Sequence, residues 1–155
     1  HSSNRRQRQM CIRDRDKSEI DAMNDRIYHD INNGVYKTGF ATTQAVYEEE
    51  YSKVFASLDW LEERLTQRTF LVGDNVTEAD WRLFTTLVRF DSVYHGHFKL
   101  NRQKLSEFPE LSDYIERLKA VPGVSETINQ DHIKAHYYGS HASINPTGIV
   151  PLGPA

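Results

Sequence analysis

Phe70-Leu71-Val72-Gly73-Asp74-Asn75-Val76-Thr77-Glu78-Ala79-Asp80 runs straight into Trp81–Tyr94, and this is the most informative stretch of the chain. Thr77 and Asp80 form an S/T-x-x-acid box, in which the hydroxyl caps a backbone N–H and the carboxylate reaches back. Asp stands in place of the commoner Glu or Gln, so the reach is shorter. Val76 before the cap and Trp81 at the fourth helical position are the two ends of a hydrophobic staple. The helix they open carries Trp81, Leu83, Phe84, Leu87, Val88, Phe90 and Tyr94, apolar nearly all round. That pattern belongs to a helix buried at the centre of a domain. At 1.5 Å per residue, about eighteen residues reach roughly 27 Å, enough to cross a small domain.

Both flanks are helical too. Upstream, Ser18 with Asp21 opens a first helix bearing Ile20, Met23, Ile27 and Ile31 on one face. Asn32-Asn33-Gly34 reads as a C-cap or interruption, because Asn and Gly tolerate a left-handed backbone. Thr42 or Thr43 starts a long helix to about Gln67, with the stripe Tyr47, Tyr51, Val54, Phe55, Leu58, Leu61 and Leu65. Downstream, Pro109 suits the first position of a helix over 109–120 that faces Leu111, Tyr114, Ile115 and Leu118 inward. A last helix is expected from about Ser125 to Tyr138, ending at Gly139, before an extended tail rich in Pro and Gly turns. No alternating strand pattern appears. The expectation is an all-α bundle of about five to six helices with an extended C-terminal tail.

Composition narrows the classes. The 155 residues are 38% hydrophobic with a net charge of −3, enough for one domain with a real core. No uninterrupted apolar run is long enough to span a membrane, and no signal-peptide pattern opens the chain. One cysteine excludes an intrachain disulfide and fits a reducing, cytoplasmic setting. Residues 1–16 hold five arginines against two aspartates, so the remainder carries −6 and no basic stripe. Nucleic-acid binding is therefore not expected of residues 17–155. Residues 1–16 lack helical periodicity and read as a disordered arm or as sequence foreign to the protein.

The capped, buried helix resembles the core helix of the all-helical domain of glutathione transferases. Three further stretches are more particular. Asn32-Asn33-Gly34-Val35-Tyr36-Lys37-Thr38-Gly39-Phe40-Ala41-Thr42 resembles the entry to that domain in glutathionyl-hydroquinone reductases, the xi-class glutathione transferases. Leu87–Tyr94 followed by His97-Phe98-Lys99 is similar to the end of that family's core helix, with Ser92 where many members carry Pro. Asp131–Tyr138, Ser140-His141 and Ile144–Gly148 resemble its last helix and tail. The match covers about Lys17 to Pro154.

The resemblance implies a glutathione-dependent reductase working through a cysteine mixed disulfide on glutathionyl-hydroquinones. It also implies a homodimer, and an upstream thioredoxin-like domain carrying a Cys-Pro-x-x nucleophile and the glutathione site. Nothing in this sequence resembles that domain, and Cys11 has no Pro after it. The chain alone is expected to be inactive. It would supply the quinone side of the pocket, with glutathione as co-substrate held mainly upstream. Two alternatives stay open. One is an omega-like thiol transferase domain, the other a non-catalytic glutathione-transferase-like interaction module.

Candidate chemistry rests on Tyr36 and Tyr137, onto which the family's pocket tyrosines map. A neutral phenol near pH 7 both donates and accepts hydrogen bonds, which suits a donor to a quinone oxygen. The alternative is two half-buried tyrosines that only pack the domain. Tyr138 points about 100° away from Tyr137 on a helix, so only one of them faces the pocket. His136 is a candidate at the margin. Thr77, Asp80 and Trp81 are read as framework. His132 and His136 have a metal-helix spacing, but Ile133 stands where a zincin helix needs Glu, and no metal is expected. Arg89 and Asp91 on a greasy helix call for a salt bridge or hydrogen-bonded network.

Overall fold

The structure, a computed structural model, describes residues 14–154. Among them there are five helical runs and no strand, in the all-α arrangement the periodicity predicts. The first run is α1 (Asp14–Arg26), a π-helical segment (Ile27–Asn32) and α2 (Asn33–Gly39). Then come α3 (Gln44–Arg64) and the central run of α4 (Glu78–Arg89), a second π segment (Phe90–Tyr94) and α5 (His95–His97). The last two are α6 (Pro109–Lys119) and α7 (Gln130–Ser140). Helical geometry thus extends back to Asp14, inside the stretch set aside as a leader; residues 1–13, Cys11 included, lie outside the described residues.

Asn32-Asn33-Gly34 does not end the first helix. Gly34 is buried, and a Cβ there would stand 3.0 Å from Val54 Cγ2, so its missing side chain lets α3 approach. Asn32 Oδ1 instead accepts from the Thr86 hydroxyl at 2.7 Å, tying this run to α4. The chain turns at Gly39-Phe40. A Cβ on Gly39 would fall 2.2 Å from the Phe98 ring, so Phe98 packs on bare backbone.

Thr43 caps α3 by accepting the Val46 N–H at 3.2 Å, and Val54, Phe55, Leu58 and Leu61 fill its inner face. The helix stops at Arg64, one turn short of the expected Gln67. At the centre, Thr77 and Asp80 form the capping box of α4, with the Thr77 N–H donating to Asp80 Oδ2 at 2.8 Å. Asp80 is fully buried and does more than cap. Its Oδ1 also accepts the Leu71 N–H at 3.0 Å and the Tyr114 hydroxyl at 2.6 Å. Those donors offset the cost of a buried carboxylate and join the α3–α4 loop, α4 and α6 at one group.

Carboxylates also place the later elements. Glu62 of α3 accepts the N–H groups of Glu110 and Leu111 at 2.8 and 2.7 Å, closing the start of α6. Asp91 accepts those of Leu105 and Ser106, which is the hydrogen-bonded network expected of it. Ser125 opens only a 3₁₀ turn, and α7 begins with Asn129 as N-cap, its Oδ1 accepting the His132 N–H at 3.1 Å. The later start has a tertiary cause. Gln130 accepts from the Ser92 hydroxyl at 2.8 Å and donates to the Val88 carbonyl at 3.0 Å, so α7 starts where it meets the central run.

Candidate functional site

Three phenols converge from three different helical runs. Tyr36 comes from α2, Tyr94 from the second π segment and Tyr137 from α7. The Tyr137 hydroxyl lies 2.7 Å from that of Tyr36 and 3.0 Å from that of Tyr94. Phe98 floors the group, stacked on Tyr94 with centroids 5.2 Å apart and 5.5 Å from the Tyr36 ring. The side-chain-free Gly39, three residues after Tyr36, is what admits that floor.

Burial is graded across the three. Tyr94 is 2% exposed, Tyr137 8% and Tyr36 37%. Burial, reinforced by the bond to Tyr137, holds the Tyr94 phenol well above its ordinary pKa. Tyr36 is raised too, by burial and then by its bond to Tyr137, with Tyr94 and the charge of Arg89 acting against. Both stay neutral at physiological pH.

The gradient gives the cluster a direction. It runs from Tyr94 in the core through Tyr137 to Tyr36 at the surface. Tyr137 bridges the other two phenols, and either oxygen of each pair can be the donor. The arrangement presents one phenol at the surface, with two others bonded in series behind it.

The remaining candidates scatter. His136 is exposed, with its ring edge-on to Tyr137 at 5.5 Å. Tyr138 turns away from the cluster onto His97, 4.5 Å between centroids. Trp81 packs edge-on against Phe84 and, with Val76 and Thr77, lines an open surface hollow of about 570 Å³. Arg89 donates to the Thr85 carbonyl on its own helix rather than pairing with Asp91. Among the described residues, no group of three or more His, Cys, Asp or Glu is placed to hold a metal ion. Sequence reasoning passed over Tyr94, which closes an apolar helix as any core aromatic would. Its only distinguishing mark was a hydroxyl where Phe would pack equally well.

Known proteins share this architecture. The model of the glutathione S-transferase C-terminal domain matches residues 44–117. Glutathionyl-hydroquinone reductase PcpF of Sphingobium chlorophenolicum is 59% identical over 139 residues, covering 90% of this chain and 44% of that protein. The chain carries a glutathione S-transferase C-terminal domain. This glutathione S-transferase domain superposes on glutathione-bound YqjG of Escherichia coli K-12 with TM-score 0.87 at 50% identity, covering 89% of this chain and 45% of that one. It superposes equally well, at 0.87 and 47% identity, on glutathione S-transferase Xi of Phanerochaete chrysosporium, covering 89% of this chain and 47% of the other. It thus spans less than half the length of these relatives.

Proposed function

We propose that this domain forms the quinone side of the pocket in a glutathione-dependent reductase that converts glutathionyl-hydroquinones to hydroquinones. The observation that carries the reading is the phenol chain, with Tyr36 at its open end and Tyr137 bonded on both sides. A cysteine thiolate, in an upstream thioredoxin-like domain, attacks the sulfur of the conjugate. The carbon–sulfur bond breaks, its electron pair enters the ring, and cysteine and glutathione are left joined by a disulfide. The ring carbon takes up a proton, giving the hydroquinone. A second glutathione thiolate then attacks the mixed disulfide, releasing oxidised glutathione and the cysteine thiolate.

Carbon leaves poorly unless the ring oxygen is stabilised as its charge develops. Tyr36 supplies that hydrogen bond, Tyr137 and Tyr94 stand bonded behind it, and His136 stands at the rim. Glutathione is the co-substrate, held mainly by the upstream domain, and the assembled enzyme is a homodimer. Among the described residues no helix is long and apolar enough to cross a membrane.

The test joins this chain to its native upstream region and follows reduction of glutathionyl-menadiol. Tyr36→Phe and Tyr137→Phe are expected to lower kcat on the order of a hundredfold, the usual scale for losing a positioned proton donor. Full turnover by both variants would remove the donor role.

A further inference from the structure

A second pair of ring systems crosses between the same two elements. His97 Nε2 lies 2.9 Å from His141 Nδ1, with the rings 5.2 Å apart and within 17° of parallel. His97 comes three residues after Tyr94 and is only 4% exposed. His141 comes four residues after Tyr137 and ends α7. The last helix is therefore joined to the central run at three points, by Gln130 with Ser92 and Val88, Tyr137 with Tyr94, and His141 with His97.

We propose that the His97–His141 imidazole pair is a positioning clamp, fixing the end of α7 so that the Tyr137 hydroxyl reaches both Tyr36 and Tyr94. The inference rests on the reading of those phenols as the working site. Its geometry is local to that site. His141 stands edge-on to Tyr137 at 5.6 Å and to Phe40 at 5.0 Å, and lies over Phe98, the floor of the phenol cluster, at 5.9 Å. Asn145 also holds the end of α7, through the Tyr138 carbonyl at 2.8 Å, but it ties that end to the tail. Beyond Tyr137, the imidazole pair reaches back to the run carrying Tyr94.

Between neutral rings the bond needs one N–H and one lone pair, so a single proton lies on the His97–His141 line. Burial, the neighbouring His141 and the charge of Lys99 keep His97 neutral, and burial with His136 does the same for His141. At neutral pH the clamp is an uncharged hydrogen bond flanked by aromatic faces.

Two substitutions separate positioning from packing. His97→Phe keeps the stacked ring and removes the bond, whereas His97→Gln places an amide nitrogen where Nε2 stood and restores it. In this chain carrying ¹³Cζ-tyrosine, His97→Phe should bring the Tyr36 titration down towards about 10, the ordinary phenol value, as Tyr137 swings away. His97→Gln should keep the wild-type profile. In the protein joined to its upstream region, His97→Phe should lower kcat on the order of tenfold, with KM little changed and glutamine rescuing it. A folded His97→Phe chain with wild-type Tyr36 and Tyr137 signals would overturn the clamp. Should that variant not fold, His141→Phe, at the less buried end, carries the same test. If instead Tyr36→Phe and Tyr137→Phe both retain full turnover, the donor role fails and the clamp, read from the phenol signals, stands.

Discussion

The Tyr114 hydroxyl donates to Asp80 Oδ1 at 2.6 Å across 34 residues, inside a core where neither side chain meets solvent. Each Asp80 oxygen takes bonds from two groups, Oδ1 from Leu71 and Tyr114 and Oδ2 from the Thr77 N–H and hydroxyl. Asp80→Ala strands several buried donors, each costing about 1–3 kcal/mol, so a loss of about 3 kcal/mol or more is expected. Asp80→Asn should cost nearly as much, since whichever oxygen becomes an amide nitrogen then faces two donors. Urea unfolding followed by circular dichroism measures both. An Asn variant as stable as wild type would show that the carboxylate is only a local cap.

Stability should fall on both sides of neutrality. His97 is pushed down to about 4 by burial, with His141 and Lys99 adding to it. The unfolded chain therefore binds a proton near 6.5 that the folded chain refuses, and stability present above that value is lost as pH falls towards 4. On the alkaline side, burial holds Tyr94 and Tyr114 above their ordinary value, Asp80 adding to Tyr114 and Tyr137 to Tyr94. Their unfolded forms ionise first, so stability declines as pH rises past about 10. Melting temperature across pH reads both limbs. His97→Phe should flatten the acid limb.

Two glycines in similar helices should respond in opposite directions. A Cβ at Gly39 meets the Phe98 ring, and Gly39→Ala should destabilise by about 1–3 kcal/mol through forced repacking. The same change should disturb the phenols above Phe98. Gly139, inside α7, has nothing within 4 Å of its would-be Cβ, so Gly139→Ala should stabilise by up to about 1 kcal/mol. Thermal melts of the two single variants decide the point; equal effects would mean that Phe98 is free to move.

These particulars separate what the sequence carries openly from what it conceals. Val76-Thr77 with Asp80 announced the central helix because capping is a local matter, and the α3 stripe from Val54 to Leu61 announced itself through spacing alone. Tyr36 and Tyr137 emerged from resemblance to a family, since nothing in either neighbourhood distinguishes a working phenol from a packing one. Tyr94 and His97 stayed hidden because their partners lie 43 and 44 residues away. Gly34 misled for a related reason: the same residue type serves a left-handed cap or a close helix crossing, and only Val54 across the interface decides. Ser125 lost the start of α7 to Asn129 because Gln130 had partners waiting on Ser92 and Val88.

The two π segments, Ile27–Asn32 and Phe90–Tyr94, set the bearing of Tyr36 and Tyr94. A π turn holds one residue more than the α turn it replaces, and each residue swings the next stretch of helix by about 100° around the axis. A chain one residue shorter in the first segment would keep every apolar residue of α2 and still aim its phenol elsewhere. In either segment a deletion should therefore be harsher on the phenol chain than most substitutions, even where the helix survives it. Length between fixed points, and not only residue type, is part of what specifies the site.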